Sequence, residues 1–348
     1  MKKSPATTTM EKKDIRITKP PNLFKHTQAK IKEIEAELGG TFLVYWSAGI
    51  GMITHSDVPP LAEVLKHVGD HEKVYLFLKS NGGDGQSALR MVNLLRQHGK
   101  RLTALIPLEC ASAATMISLG ADEVQMGPLA YLTAVDTSLT HDLSPVDRNN
   151  YLISVSQDEL NRVTNLWHEA DSELKDPKAQ SNPYAKLYEH IHPLVFGAID
   201  RASSLSLKIC EEILSYHVKD PKERARISRI LNADYPSHSY PITLREAQRI
   251  GLKVKAMDEA LNDQLFEINA IYSEMGQRAL TDFDELNYHD HEVQTIIEGR
   301  GIQFTYQNDK DWHYRQEERR WIPLNDMSCW NRYIAVGAKS KSSTFHVR

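Results

Sequence analysis

The chain has 348 residues, 41% apolar and 25% charged, the balance of a globular protein with one large domain or a main domain plus a smaller one. Its 42 basic and 46 acidic side chains leave a net charge of −4, which excludes a whole-chain electrostatic footprint for nucleic acid. No apolar run reaches the ~18 residues of a membrane span, and three scattered cysteines, Cys110, Cys210 and Cys329, suit neither a disulfide framework nor a zinc site but rather a reducing, cytoplasmic setting.

Residues 1–25 are polar and lysine-rich, end at Pro20-Pro21 and lack the apolar core of a signal peptide; they read as a disordered tail. H-T-Q-A-K-I-K-E-I-E-A-E-L before Gly39-Gly40 predicts a helix with a glycine stop. A strand follows at 41–47, then a helix at 57–68 with Asp57 as its cap candidate. The nearly continuous apolar run at 73–79 predicts a strand buried on both faces. Beyond it come the loop S-N-G-G-D-G, an amphipathic helix, a strand at 101–107, and the stretch L-E-C-A-S-A-A-T-M-I-S-L-G, which opens another helix. E-V-Q-M and Y-L-T-A-V read as short strands. This alternation from 41 to about 135 predicts parallel βαβ units. Residues 145–230 read as helical around a breaker-rich joint at 175–184, and H-P-L-V-F-G-A-I-D-R-A-S-S-L-S-L-K-I-C-E-E-I-L is a long helix candidate. Thr243 opens a helix that stops at Gly251 before a short strand. The main domain is expected at 26–265 and a small α+β subdomain at 266–348, with a hairpin turning at Asn308-Asp309.

Two stretches carry chemistry. In S-N-G-G-D-G, glycines after a buried strand let backbone N–H groups approach a ligand. No Lys-Ser/Thr follows for a phosphate loop, and the dinucleotide spacing is missing. What remains is an oxyanion loop or a tight strand-to-helix turn. Ser112 stands before A-A-T-M-I-S-L-G-A, either as a helix cap or as a nucleophile beside the amide of Ala113. Small neighbours at Ala111, Ala113 and Ala114 leave room for a substrate backbone, and Cys110 reads as a small apolar residue pointing into the sheet.

The stretches L-K-S-N-G-G-D-G (78–85), C-A-S-A-A-T-M-I-S-L-G-A-D-E-V-Q-M-G-P-L-A-Y-L-T-A-V-D (110–136), I-H-P-L-V-F-G-A-I-D-R (191–201) and S-H-S-Y-P-I-T-L-R-E-A-Q-R-I-G-L-K-V (237–254), in that order, resemble the Clp/crotonase-fold serine peptidases. Within that superfamily, which includes the Clp protease and signal peptide peptidase A families, the chain is most similar to the serine dehydrogenase proteinase family. The resemblance spans about 40 to 262. It implies an α/β fold, a Clp/crotonase-like ββα-superhelix core of parallel strands and helices, here with a small C-terminal appendage.

By that likeness Ser112 matches the nucleophile, and Gly83 and Ala113 match the oxyanion-hole donors. Asp136 and His238 match the remaining triad positions in the exchanged order of this family, with His238 as base; a triad is defined by geometry rather than chain order. His192 and Lys208 are rival bases. Asn81 stands where the superfamily usually has proline, and the turn is expected to survive because Asn tolerates unusual backbone conformations. The reading implied is a serine peptidase without cofactor or metal, acting on peptides or proteins and assembling as a homo-oligomer, with no nucleic acid and no membrane as partner. The alternatives are a catalytically silent scaffold that binds a peptide or partner protein, and a crotonase-like acyl-CoA enzyme in which Ser112 has no role. Trp312, Tyr314, Trp321 and Trp330 of the C-terminal subdomain form either its own core or a surface for a partner protein.

Overall fold

A computed structural model of the chain describes residues 16–172, 182–337 and 339–347. Helix α1 (Phe24–Leu38) ends at Gly39, whose φ of 62° lets its N–H reach back to Glu35 O. Strand β1 (Thr41–Ser47) is buried along its whole length because helices cover both faces. Then come α2 (Val58–Val68), with prolines in its first turn, and β2 (His71–Lys79). Asp84 caps α3 (Gly85–His98) by accepting from Ser87 N at 2.7 Å, and Ala88, Met91, Val92 and Leu95 form the helix's buried stripe. Strand β3 (Gly99–Ile106), the short β4 (Glu109–Cys110), α4 (Ala113–Leu119) and β5 (Glu123–Met126) complete the first half.

The middle of the chain departs from expectation. Of Y-L-T-A-V only β6 (Tyr131–Leu132) is strand. Residues 145–154, expected to be helical, form a loop between β7 (Ser138–Leu139) and β8 (Val155–Ser156). The Asp147 carboxylate accepts from Asn149 N and Tyr151 N, holding a turn where a helix would need those amides. Helices α5 (Gln157–Ser172), α6 (Pro183–Leu187), α7 (Pro193–Leu214), α8 (Pro221–Arg229) and α9 (Leu244–Arg249) follow, then β9 (Val254–Ala256) and α10 (Glu259–Met275). Most of the expected joint at 175–184 lies outside the described residues. So do residues 1–15 of the expected tail; Thr18 N already donates to Thr281 Oγ1, and Phe24 is buried.

The last third contains β10 (Leu280–Asp284), β11 (Asn287–Asp290), β12 (Val293–Gly299), β13 (Ile302–Gln307), β14 (Lys310–Arg315), β15 (Arg320–Asp326), β16 (Cys329–Val336) and β17 (Lys339–Phe345). Among the described residues, nine strands make one sheet in the order β17-β16-β13-β12-β1-β2-β3-β5-β9. From β1 to β9 the neighbours are parallel; from β1 to β17 they are antiparallel. The fold is thus mixed α/β.

The expected subdomain at 266–348 is not a separate unit. Its boundary falls inside α10, and β12 pairs directly with β1, Val44 opposite Glu298. The cause is side-chain alternation: Ile296 enters the core under α1 and α10, while Ile297, Ile302, Phe304 and Trp330 enter the opposite one. Of the strands in this last third, β10, β11, β14 and β15 form a smaller sheet of their own. Asn308-Asp309 is a crossover rather than a hairpin turn, since β13 and β14 belong to different sheets. Asn308 is fixed there by its bond to the Asp290 carboxylate. Tyr288, Trp312, Tyr314 and Trp321 stack on the smaller sheet, whereas Trp330 belongs to the main core.

Candidate active site

The site lies where β2 and β3 hand over to their helices. After β2, Ala111 N donates to Ser80 O at 2.9 Å and Ser80 N to Glu109 O at 3.1 Å, which brings the glycine loop beside the serine turn. Gly82 and Gly83 have φ of 100° and 143°. A Cβ on Gly82 would lie 2.6 Å from Ser112 Cβ, and one on Gly83 2.3 Å from Ile53 O, so only glycine fits at either position. Ile53 brackets the loop: its N–H donates to Gly82 O at 2.7 Å, and its carbonyl accepts from Asp84 N at 2.8 Å. The Gly83 amide between them has no acceptor among the described residues. Asn81 needs no unusual conformation, because the positive φ values fall on the glycines; its side chain donates to Gly49 O.

Ser112 has φ 52° and ψ −119°, and its side chain makes no cap hydrogen bond to α4. The cap alternative therefore fails. Such a backbone costs on the order of 1–3 kcal/mol for a residue with a Cβ, and a network holds it. Ser112 N donates to Thr133 Oγ1 at 2.9 Å, Thr133 N to Thr115 Oγ1 at 3.2 Å, and Thr115 Oγ1 to Cys110 O at 2.8 Å. The Ala113 amide, like that of Gly83, has no acceptor among the described residues. Cys110 is fully buried, and burial pushes its thiol far above the usual range, which removes it as a nucleophile.

Asp136 Oδ1 and His238 Nδ1 lie 2.8 Å apart. The hydrogen bond to the Asp136 carboxylate raises the His238 pKa above its ordinary 6.5, with burial working against it. With Nδ1–H donated to the carboxylate, the neutral ring presents its Nε2 lone pair outward. Asp136 and His238 line one cleft of about 450 Å³ together with Ser112, Gly83 and Ala113. No hydrogen bond joins Ser112 Oγ to His238 among the described residues. Apolar walls come from Met52, Met116, Val135, Leu139, Leu205 and Ile209.

The rival bases lie elsewhere. His192 is an exposed cap of α7, its Nδ1 accepting from Leu194 N at 3.2 Å. Lys208 is exposed and lines no part of the cleft, while Ala202, Leu205, Ser206 and Ile209 of the same helix do. Thr133 and Ser206, which ties α7 to Val135 O at 2.9 Å, escape sequence reading because each looks like an ordinary polar residue in its element. A somewhat larger cleft, about 560 Å³, contains the Glu35–Arg300 ion pair but no histidine paired with a carboxylate, so the chemistry favours the smaller one. Among the described residues no helix is long and apolar enough to cross a membrane.

No family model matches the chain. An uncharacterized protein of Methanocaldococcus jannaschii is 22% identical over 246 residues, 66% of this chain and 70% of that protein. Among solved structures, two variants of the 1510-N membrane-bound stomatin-specific protease are similar. One has 14% identity and a TM-score of 0.37, covering 68% of this chain and 86% of the other. The second, in complex with a substrate peptide, has 15% identity and a TM-score of 0.36, covering 68% and 81%. ClpP1 from Listeria monocytogenes has 11% identity and a TM-score of 0.35, covering 66% of this chain and 97% of its own.

Proposed function

We propose that the chain is a serine peptidase acting by acyl transfer through Ser112. The observation that carries this reading is the strained, uncapped Ser112 sharing one cleft with two amides that lack acceptors and with a carboxylate-oriented histidine. Ser112 Oγ attacks the scissile carbonyl carbon while His238 Nε2 takes its proton. The carbonyl oxygen becomes an oxyanion between the Gly83 and Ala113 N–H groups. When the C–N bond breaks, His238 returns the proton to the leaving amine, and water then repeats the sequence on the acyl ester. Contact between Ser112 Oγ and His238 is expected to tighten when a substrate enters, as hydrogen bonds in unliganded sites often do. The chemistry draws on no cofactor.

The missing Ser112–His238 hydrogen bond favours one alternative, a silent scaffold that binds peptides in the same cleft. A fluorophosphonate probe separates the two. Labelling of the intact protein that is lost in Ser112→Ala supports the peptidase; no labelling of the folded protein, with peptide binding retained, supports the scaffold. We further propose self-association through the exposed apolar residues Leu166 of α5 and Leu194 of α7. Sedimentation of the wild type and of Leu166→Glu/Leu194→Glu would test it.

A further inference from the structure

Asp57 ends a single 3-10 turn, His55–Asp57, between β1 and α2. It is 2% exposed. Its side chain does not cap α2 but turns back, accepting from Tyr45 OH at 2.6 Å, Thr54 N at 3.0 Å and Thr54 Oγ1 at 2.9 Å. A carboxylate taken out of water is costly unless such donors surround it. An apolar residue of the same size would leave the Thr54 N–H and the Tyr45 hydroxyl without acceptors.

Thr54 directly follows Ile53, and Ile53 spends both main-chain groups on the glycine loop, one on either side of Gly83. The same turn grips the loop's exit a second time. His55 Nδ1 meets Ser87 Oγ at 3.0 Å, and Ser87 Oγ donates to Asp84 Oδ2 at 2.6 Å. The direction of the Gly83 N–H is thus fixed by a segment that is itself fixed by one buried carboxylate.

We propose that Asp57 is a positioning residue for acyl transfer, aiming the Gly83 amide hydrogen at the oxyanion through Thr54 and Ile53 without touching substrate. This rests on the peptidase reading of Ser112. Asn at position 57 keeps an acceptor for Thr54 N and Tyr45 OH and offers its amide N–H to the Thr54 hydroxyl oxygen, reversing the bond that hydroxyl donates to the Asp57 carboxylate; Ala keeps none of these.

The test compares Asp57→Ala and Asp57→Asn by steady-state peptide cleavage, fluorophosphonate labelling rate and the amide NMR resonance of Gly83, with Leu76 of β2 as a reference. Expected for Asp57→Ala is a fall in kcat on the order of 10- to 100-fold with KM nearly unchanged, since a misdirected donor is lost chiefly from the transition state. Asp57→Asn should recover most of it, and the Gly83 resonance should move only in the alanine variant. Wild-type kcat in a folded Asp57→Ala protein would overturn the proposal, as would a loss matched by the fraction unfolded. If the wild type neither cleaves nor labels, the peptidase reading fails, and the resonance alone decides: an unmoved Gly83 amide in Asp57→Ala overturns the positioning claim, and a moved one supports it.

Discussion

Asp136 and His238 stand 102 residues apart in the chain, yet their side chains meet at 2.8 Å. The carboxylate is mostly covered and the imidazole half exposed, so the pair can orient the ring while leaving its far nitrogen accessible.

The base reading predicts a pH profile. His238 must be neutral to take a proton, and Asp136 raises its pKa above 6.5, so labelling of Ser112 should rise with pH through a midpoint above that value. Asp136→Asn should lower the midpoint, and His238→Ala should cost on the order of 10²–10⁴ in rate. The stability sign is opposite to the activity sign. A histidine whose folded pKa is raised stabilises the fold below its unfolded pKa, and that contribution disappears as pH rises through the folded pKa. Stopped-flow labelling across pH 5–9 checks the first claim.

Ser112 carries strain that glycine would relieve. Ser112→Gly is expected to raise unfolding free energy by about 1 kcal/mol, the relieved strain less glycine's extra chain entropy. Ser112→Ala keeps the Cβ and should change stability little. Both should abolish labelling. Urea unfolding of the three proteins measures the difference.

Gly83 and Gly197 make a matched pair. At Gly83 a Cβ would meet Ile53 O at 2.3 Å; at Gly197, within α7, it would meet nothing within 4 Å. Gly83→Ala should therefore lower the acylation rate on the order of 10²-fold by displacing a donor. Gly197→Ala should leave the rate alone and stabilise the helix by about 1 kcal/mol. Thermal melts and labelling rates together check both.

Glu298 is fully buried and accepts from Thr27, Gln28, Tyr272 and Gln303 at 2.6–2.8 Å. Burial outweighs those donors and pushes its pKa from 4.5 up to about 7. Between those values the folded chain keeps a proton that the unfolded chain has released, so stability falls as pH rises, by about 3 kcal/mol over the window. Glu298→Gln should remove that slope. Denaturation midpoints at pH 5 and pH 8 for both proteins give the comparison.

The parallel half of the fold was legible because its signals are local, apolar runs alternating with amphipathic stretches, whereas the placing of the glycine loop beside Ser112 came only from the family resemblance. The antiparallel half was not legible. Ile302–Gln307 and Lys310–Arg315 are neighbouring six-residue strands, yet the first pairs with β12 and β16 and the second with β11 and β15, and β12 itself joins the main sheet through β1, about 250 positions earlier. Asp57 read as a helix cap because an acid before prolines fits that role; its side chain instead closes a capping box with Thr54 three residues earlier and accepts from Tyr45, which no spacing rule connects to it. Thr133 was hidden for the same reason, its hydroxyl serving an amide 21 positions earlier.

The seam between β1 and β12 governs how the protein must be made. Until the stretch through β12 has been made, β1 keeps one raw flank, and both cores lack the isoleucines, Ile296 and Ile297, that close them on that side. A fragment cut near residue 265 would retain every candidate catalytic group yet expose that flank to other chains, so expression of the excised front part should yield aggregates rather than a minimal enzyme.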